Sequence, residues 1–339
     1  MRVAITGATG NVGTALLRRL AVEPDIDVVG FARRIPDPNA GPPYDDVEWH
    51  SVDIGDTGSV ERLAGWFTGA DVVVHLAWQN LPTYRRPQQR RTNLRGTRHV
   101  CEAMQVAGVR QLVYASASAA YAPGPKDRRV DESWPTTGII GADFSIDKAT
   151  IEAALDNLER RDPELRVVRL RQALVFQRDA GAEFTRHFLG RFGRFLLRRA
   201  TPFVPVHRRL RIQAVHAEDV ADAYARTLRS DVRGAFNIAA EPDLDGNMLA
   251  EDADGIALPM TPKMVRALAN ASWRLRLQPT PPSWVDLLAS IPLMDCSRAE
   301  RELDWRPRYD ARQALRDLLS GVVSGAGAAG PALQPAPAL

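Results

Sequence analysis

The chain has few cysteines, no long apolar run and little net charge. Its two cysteines, Cys101 and Cys296, are too few for a disulfide framework or a cysteine-based zinc site. It has no run of about 18 apolar residues, which excludes a membrane-spanning helix. The first residues enter a strand-like run at once and lack the pattern of a signal peptide. We therefore expect a protein of the reducing cytoplasm, with no metal site and no membrane partner.

The charge balance narrows the choice of partner further. Lysine and arginine together number 44 against 41 acidic residues, a formal net charge of +3. That excess is too small to indicate a nucleic-acid-binding surface. Lysine itself is scarce, since only Lys126, Lys148 and Lys263 are present. Each lysine is therefore more informative than usual.

Short β-rich runs alternate with helical patterns over the first 170 residues. The expected strands are Arg2–Thr6, Val28–Ala32, Glu48–Asp53, Asp71–Ala77, Gln111–Ser116 and Arg166–Leu170. Amphipathic helices are expected at Val12–Leu20 and at Thr92–Ala107, the second ended by Gly108. This alternation predicts right-handed βαβ crossovers and a parallel sheet with helices on both faces.

A glycine-rich turn lies between the first expected strand and the first expected helix. Gly7 allows the tight turn, Gly10 lets backbone N–H groups approach a pyrophosphate, and Gly13 lets the helix pack close to the strand. The positive end of the helix then faces the phosphates. We expect the cofactor contacts of this turn to come from Gly7, Thr9, Gly10, Asn11, Val12 and Gly13. The fold class is thus α/β, with a Rossmann-type doubly wound parallel sheet.

The residues after the second strand bear on the choice of cofactor. An NAD site usually has an acidic residue there. This chain has Arg33 and Arg34 and no carboxylate between residues 28 and 36. Two guanidinium groups can pair with a 2′-phosphate. We therefore favour NADP(H) over NAD(H), the alternative being two solvated surface arginines.

The pattern also suggests how the chain is divided. We expect a dinucleotide-binding domain at 1–172, with 212–240 returning to it. A smaller substrate-binding region would comprise 173–211 and 241–320. The last stretch, 321–339, contains 13 Ala, Gly or Pro among 19 residues and no charge. Such a composition cannot bury a core, so we expect it to be disordered.

At this point the chain resembles the extended short-chain dehydrogenase/reductase family, in its NAD-dependent epimerase/dehydratase branch. The matching stretches are Thr6–Gly13, Asp53-Ile54, His75-Leu76-Ala77, Thr92–Thr97, Tyr114–Tyr121, Val215–Val220 and Glu302–Pro307. The resemblance implies a small-molecule substrate and a possible homodimer through helices near 92–107 and 144–160. It also implies further cofactor contacts from Asp53, Ile54, Leu76, Ala77, Trp78, Asn93, Ser116 and Lys148. His75 and Asn80 would lie close to these contacts.

The catalytic positions of that family are only partly retained. The family uses a Tyr-x-x-x-Lys pair on one helix and a Ser or Thr on the fifth strand. Lys148 matches the lysine, but Phe144 stands at the tyrosine position and Ala117 at the Ser/Thr position. Ser116 and Ser118 flank Ala117, and neighbours on a regular strand point to the opposite face. Both usual proton-transferring groups are therefore missing.

Other residues could carry the proton instead. We assign catalytic roles to Lys148, Ser118 and Tyr121, and regard Asp143 and Ser145 as further candidates. General acid–base help is typically worth about 10²–10⁴-fold in rate. Its loss leaves three hypotheses open. They are an altered oxidoreductase, a non-redox enzyme on the same scaffold (a cyclase, dehydratase or isomerase), and a binding protein that senses NADP(H).

The substrate-binding region offers few motifs. Residues 184–217 contain eight arginines and no acid, and the stretch includes His187. It could attract an anionic substrate. The alternative without a function is a solvent-exposed face on which the aliphatic parts of the arginine side chains cover phenylalanine rings.

Overall fold

The computed structural model describes residues 1–79, 84–189, 203–206 and 210–336. Its strands are Arg2–Thr6 (β1), Asp27–Ala32 (β2), Glu48–Ser51 (β3), Val72–His75 (β4), Gln111–Ala117 (β5), Arg129–Val130 (β6), Arg166–Gln172 (β7), Leu174–Phe176 (β8), Phe203–Val206 (β9), Arg211–His216 (β10), Gly234–Ile238 (β11), Ala240–Asp245 (β12), Ile256–Pro259 (β13) and Leu293–Met294 (β14). Its α-helices are Asn11–Leu20 (α1), Ser59–Phe67 (α2), Arg86–Arg90 (α3), Thr97–Ala107 (α4), Asp143–Arg161 (α5), Gly181–Phe184 (α6), Ala217–Leu228 (α7), Gly246–Asp252 (α8), Pro262–Arg274 (α9), Ser283–Ser290 (α10), Ser297–Leu303 (α11) and Ala311–Ser324 (α12).

A parallel sheet lies at the centre of the molecule. Within the described ranges it has seven strands in the order β11-β7-β5-β4-β1-β2-β3, and each neighbouring pair runs parallel. The central strand β4 is buried along its whole length, as expected for a strand covered on both faces. The predicted Rossmann-type α/β fold is confirmed.

Two apolar layers hold the helices onto the sheet. Leu16 of α1 and Tyr224 of α7 belong to the layer on one face. Phe67 of α2, Met104 of α4 and Leu155 of α5 belong to the layer on the other face. All five side chains are essentially inaccessible to solvent. Burying one such side chain typically contributes about 1.5–3 kcal/mol, so the two layers hold the helices firmly against the sheet. Because its strands are parallel, their carboxyl ends lie along one edge.

The helical segment before β5 begins earlier than expected. Pro87 lies in the first turn of α3, where proline is well tolerated. A π-helical turn, Arg91–Gly96, then joins α3 to α4. Gly108 ends the segment in the left-handed conformation (φ +73°), as its position in the sequence predicted. The segment therefore runs from residue 86 rather than from residue 92.

The second half of the chain contributes strands to two different sheets. Helix α7 and strand β11 return to the central sheet, where β11 pairs with β7. Strand β10 instead lies in a smaller three-stranded sheet between β12 and β8. Within residues 212–240, β10 thus lies in the smaller sheet and β11 in the central one, and the division of the chain into domains stays a prediction.

The expectation of disorder from residue 321 is wrong for residues 321–336. Helix α12 continues to Ser324, and Leu333 is fully buried. The cause is close backbone packing, for which small residues are suited. A Cβ on Gly321 would overlap the carbonyl oxygen of Arg178. The backbone N–H of Ala182 also donates to the carbonyl oxygen of Ala326 (2.9 Å).

Candidate functional site

The glycine turn has the geometry of a phosphate-binding loop. Gly7 has φ +74°, and a Cβ there would lie 2.6 Å from the backbone nitrogen of Ala77. A Cβ on Gly13 would overlap the carbonyl oxygen of Gly7. Gly10 precedes the first residue of α1 and has no side chain with which to cap the helix. The first N–H groups of α1 are thus directed at the carboxyl edge of the sheet, where a pyrophosphate fits.

The side chain of Asn11 serves another purpose. Its Nδ2 donates to the carbonyl oxygen of Val175 (3.0 Å), and Gln177 Nε2 donates to its Oδ1 (2.6 Å). These bonds tie the start of α1 to the strand β8 region. The side-chain amide of Asn11 thus bonds within the protein through both Nδ2 and Oδ1, and its contact with a cofactor stays a prediction.

A buried hydrogen-bonded chain supports the loop from behind. Thr97 Oγ1 donates to the carbonyl oxygen of Asn93 (2.6 Å), so it accepts a hydrogen bond from the Nε2–H group of His75 (2.9 Å). Thr6 Oγ1 then donates to His75 Nδ1 (2.6 Å). Burial, together with the Lys148 charge, lowers the pKa of His75 to about 3. His75 is therefore a neutral structural link and not a proton carrier.

Two of the predicted cofactor contacts, Asp53 and Ile54, lie together after β3. Arg91 Nη2 donates to Asp53 Oδ2 (2.6 Å), and the backbone N–H of Gly55 donates to Asp53 Oδ1 (2.9 Å). Ile54 packs beneath the π-helical turn, where a Cβ on Gly96 would lie 2.5 Å from Ile54 Cγ1. These bonds fix the carboxylate of Asp53 at the edge of the sheet. Its contact with a cofactor stays a prediction.

The segment after β4 is held in place by Asn93. Asn93 Oδ1 accepts from the backbone N–H of Gln79 (2.8 Å), and Asn93 Nδ2 donates to the carbonyl oxygen of Gln79 (3.1 Å). Leu76 N donates to the carbonyl oxygen of Thr6 (3.0 Å). Asn93 is itself almost fully buried. It therefore positions the Leu76–Trp78 segment beside the loop, while Asn80 lies outside the described residues.

Lys148 lies at the centre of the candidate site. Its Nζ donates to the carbonyl oxygen of Ala115 (2.5 Å) and to the hydroxyl of Tyr114 (3.3 Å). The ring of Trp78 covers the ammonium group, with its centroid 3.7 Å from Nζ. Burial lowers the pKa of Lys148 to about 7, against the opposing effect of nearby Glu152. An amine in this state can both give and take a proton near neutral pH.

The sequence analysis missed Tyr114. This phenol lies on β5 and is fully buried beneath Trp78. Burial raises its pKa well above the ordinary value, so it stays protonated. The signal that could have identified it is its place two residues before Ser116 on the strand that faces Lys148.

Phe144 and Ala117 lie in one apolar cluster. Both pack, together with Trp284 and Ile291, against a small buried core. The Phe144 ring is 5.6 Å from the ring of Trp284 and 6.3 Å from that of Trp78. The two positions that lack the expected hydroxyl groups therefore border the same apolar cluster, and two tryptophan rings lie beside Phe144.

The apolar lining continues from Phe144 towards α6. The ring of Phe188 meets Trp284 edge-on at 5.3 Å, and the ring of Phe184 stacks on Phe188 at 4.7 Å. These rings come from three separate elements and are only partly buried. We call Phe144, Trp284, Phe188 and Phe184 the aromatic wall.

Tyr121 and Ser116 belong to a buried polar network. The Tyr121 hydroxyl donates to Asn237 Oδ1 (2.6 Å) and accepts from Arg171 Nη1 (3.0 Å). Burial raises the pKa of Tyr121 to about 12. Ser116 Oγ donates to Glu152 Oε1 (2.5 Å). The hydroxyl groups of both residues are thus bonded inside the protein, and their roles as proton carrier and cofactor contact stay predictions.

The other candidate carriers are arranged as follows. Ser145 is fully buried, and its Oγ donates to the carbonyl oxygen of Ala119 (2.5 Å), which makes it structural. Asp143 is exposed and pairs with Arg86 (3.0 Å). Ser118 begins a 3₁₀ turn directly after β5 and stays a candidate. Burial lowers the pKa of His187, in the turn after α6.

The two arginines after β2 are both exposed. Arg34 Nη2 donates to the carbonyl oxygen of Pro331 (3.0 Å). The carbonyl oxygen of Arg33 accepts from Ser51 Oγ (3.1 Å), which fixes the backbone at this point. The bond to Pro331 thus fixes the guanidinium group of Arg34, and the contact of either arginine with a cofactor stays a prediction. Six of the eight arginines of residues 184–217 lie outside the described residues, at 190–202 and 207–209.

Two kinds of site are absent from the described part of the chain. It contains no group of three or more His, Cys, Asp or Glu side chains that could hold a metal ion. It also contains no helix long and apolar enough to cross a membrane. The glycine loop, by contrast, is a cradle that a Cβ at residue 7 or 13 would fill, so its residues fit a dinucleotide.

Comparison with known proteins identifies the family. The model of the NAD dependent epimerase/dehydratase family matches residues 3–239. The chain therefore belongs to the NAD-dependent epimerase/dehydratase family, as the resemblance in its motifs predicted.

Two individual relatives share less than 30% sequence identity with this chain. An uncharacterized protein of Mycobacterium tuberculosis is 27% identical over 327 residues, which is 95% of this chain and 30% of that protein. The chain thus spans less than a third of the length of that relative. The decarboxylating sterol-4-alpha-carboxylate 3-dehydrogenase of Saccharomyces cerevisiae is 28% identical over 186 residues, 51% of each chain. A solved structure of UDP-glucose 4-epimerase from Thermus thermophilus, in complex with NAD, superimposes on this chain with a TM-score of 0.70 at 22% identity. The superposition covers 95% of this chain and 99% of the epimerase chain. That structural likeness shows the fold.

The close contact at Gly13 leads to a prediction. In Gly13→Ala the new methyl group overlaps the Gly7 carbonyl oxygen, so α1 must shift away from the loop. We expect dinucleotide affinity, measured by calorimetry, to fall at least about tenfold. Gly65→Ala is the matched control, because a Cβ there has no neighbour within 4 Å. Unchanged affinity in Gly13→Ala would contradict the assignment of the loop.

The buried carboxylate of Glu152 leads to a second prediction. Burial raises its pKa, but the bonds and charge of Arg171 outweigh that effect and hold it below the ordinary value. The carboxylate therefore stabilises the fold above its unfolded pKa near 4.5, and this stabilisation is lost as the pH falls through the lower folded value. Glu152→Gln should lower the free energy of unfolding by about 3–5 kcal/mol at pH 7.

Chemical denaturation at several pH values checks this expectation. The difference between wild type and Glu152→Gln should shrink as the pH falls below about 4. The exposed Glu164, whose side chain is 78% accessible, provides the control variant Glu164→Gln. A difference that does not depend on pH would show that the charge of Glu152 is not what stabilises the network.

Proposed function

We propose that this protein is an NADP(H)-dependent oxidoreductase with an altered acid–base centre, acting on a small ketone or alcohol whose substituents are apolar. The observation that carries the proposal is one arrangement. The carbonyl oxygen of Ala115 on β5 holds Lys148, while Phe144 and Ala117 pack against one apolar cluster, at the positions where hydroxyl groups are expected. A site that retained its cofactor cradle but lost its polar lining suits an apolar ketone or alcohol better than a sugar.

Binding of the cofactor would use groups already in place. The N–H groups at the start of α1 would hold the pyrophosphate, and Arg33 and Arg34 would pair with the 2′-phosphate. Asp53, fixed by Arg91, would accept from the adenosine end. A nicotinamide cofactor supplies hydride transfer when it is bound. The family model and a solved neighbour with bound NAD support this class of cofactor.

The proton would come from Lys148 in this proposal. Its pKa near 7 lets the ammonium group release a proton at neutral pH. Trp78 excludes water from Nζ, and the carbonyl oxygen of Ala115 fixes its position. Ser118 is the second candidate, because it lies at the end of β5 next to Ala117. Tyr121 is left out because its hydroxyl is bonded on both sides.

A non-redox enzyme is the second candidate function. The apolar surroundings of Phe144 and Ala117 favour it, because positioning alone can promote a cyclisation, dehydration or isomerisation. A protein that senses NADP(H) through a partner is the third. Turnover without a change in nicotinamide absorbance supports the non-redox enzyme. Binding without turnover, together with a captured partner, supports the sensor.

The variant Phe144→Tyr tests the altered centre. It restores a phenol four residues before Lys148, on the same face of α5. We expect reduction of small apolar ketones with NADPH to rise about 10²–10⁴-fold, measured by nicotinamide absorbance. Phe188→Tyr adds the same hydroxyl elsewhere on the aromatic wall and should have no such effect. If Phe144→Tyr leaves the rate unchanged, the pocket differs from the family geometry by more than one missing hydroxyl.

The variant Arg33→Ala tests the cofactor preference. Loss of a charge-assisted bond to a phosphate costs about 1.5–3 kcal/mol, so NADPH should bind about 10–100-fold more weakly. NADH lacks the 2′-phosphate and its affinity should not change. Calorimetric titration with both cofactors gives the comparison. Equal weakening of both would refute the role of Arg33 at the 2′-phosphate.

A further inference from the structure

The chain after α12 crosses from one half of the molecule to the other. Residues 325–336, which we call the C-terminal strap, leave α12 and bond to α6 through the carbonyl oxygen of Ala326. The strap then meets Tyr44, since a Cβ on Gly330 would lie 2.6 Å from the Tyr44 hydroxyl. Its next carbonyl group, that of Pro331, accepts from Arg34 Nη2 (3.0 Å).

A second arginine holds the end of the strap. Arg186 Nη1 donates to the carbonyl oxygen of Gln334 (3.0 Å), and Arg186 Nη2 donates to that of Ala332 (3.2 Å). Arg186 belongs to the turn that also carries Phe188 of the aromatic wall. The strap therefore connects Arg34, after β2, with the turn that carries Phe188 of the aromatic wall.

The strap lies close to the phosphate loop on both of its sides. The Tyr44 hydroxyl is 3.0 Å from Thr14 Oγ1, and the backbone N–H of Thr14 donates to the carbonyl oxygen of Gly10 (2.8 Å). On the other side, Arg34 follows β2, and Phe31 at the end of β2 accepts from the N–H of Gly7 (2.8 Å). This places the strap at the adenosine end of the dinucleotide site.

The strap is attached to the arginines through neutral acceptors. It contains no charged side chain, and its bonds to Arg34 and Arg186 are accepted by backbone carbonyl groups. A phosphate group binds a guanidinium more strongly than a carbonyl group does, because the bond is charge-assisted. Phosphate and carbonyl oxygens are both acceptors and repel each other at a shared donor. A phosphate that pairs with the Nη2 edge of the Arg34 guanidinium therefore competes with the carbonyl oxygen of Pro331 for that nitrogen.

We propose that the C-terminal strap is a switch that opens in response to the 2′-phosphate of NADP(H) and not to NAD(H). The inference rests on the proposed function, in which Arg33 and Arg34 bind that phosphate. Displacement of Pro331 from Arg34 frees the middle of the strap. The strap then stays attached through α12 and Arg186, so the change is a local opening of the adenosine end.

Hydrogen exchange on the full-length wild-type chain tests the switch directly. Five backbone N–H groups of the strap are bonded in the closed state, those of Gly325, Ala326, Ala328, Leu333 and Ala336. Saturating NADP⁺ should speed exchange in 325–336 at least about tenfold, whereas saturating NAD⁺ should leave it unchanged. Slower or unchanged exchange with bound NADP⁺ overturns the switch alone. No calorimetric binding of either dinucleotide overturns the proposed function and the switch with it.

A strap variant provides a second readout. Gly330→Ala places a methyl group against the Tyr44 hydroxyl and should loosen the strap without any cofactor. Because one neutral hydrogen bond to Arg34 no longer competes, NADP⁺ should bind about threefold to tenfold more tightly, while NAD⁺ affinity stays the same. Gly65→Ala adds the same methyl group on α2 and should change neither affinity. Equal NADP⁺ affinity in wild type and Gly330→Ala contradicts the competition.

Discussion

The site depends on the close approach of the glycine loop to the end of β4. Gly7 lies against the backbone of Ala77, and Gly13 lies against the carbonyl oxygen of Gly7, at distances that no side chain permits. This contact directs the uncapped start of α1 along the carboxyl edge of the sheet. Buried bonds from Thr6 through His75 to Thr97 hold the same place from behind. This one contact sets the shape of the predicted cofactor cradle.

Most of the fold followed from the sequence because its signals are local. The spacing of the glycines, the apolar run of β4 and the alternation of strand and helix each reflect short-range geometry. The helix before β5 began earlier than expected, since the π-helical turn at Arg91–Gly96 has no separate sequence pattern. The last residues were expected to be disordered because composition does not reveal close backbone packing such as that of Gly321.

The catalytic part of the site was harder to predict, since it depends on where side chains are buried. Tyr121 lies in a matching motif, yet its hydroxyl is bonded to Asn237 and Arg171 in the core. Tyr114 has no motif role, yet it lies 3.3 Å from the amine of Lys148. That Phe144 and Ala117 replace a tyrosine and a serine or threonine stays a prediction from the family pattern. The structure shows that both residues pack against one apolar cluster. Rings that come from distant segments, such as Trp284, give no signal in a single sequence.

The central claim is that the chain keeps a dinucleotide cradle from which the usual proton-transferring hydroxyl groups have been removed. The most direct measurement is a crystal structure of the wild-type protein with bound NADP⁺. We expect the cofactor phosphates at the start of α1, Lys148 Nζ beside the nicotinamide ribose, and the Phe144 ring next to the nicotinamide. A tyrosine or serine oxygen within about 3.2 Å of both Lys148 Nζ and the substrate-facing side of the nicotinamide ring would contradict the claim.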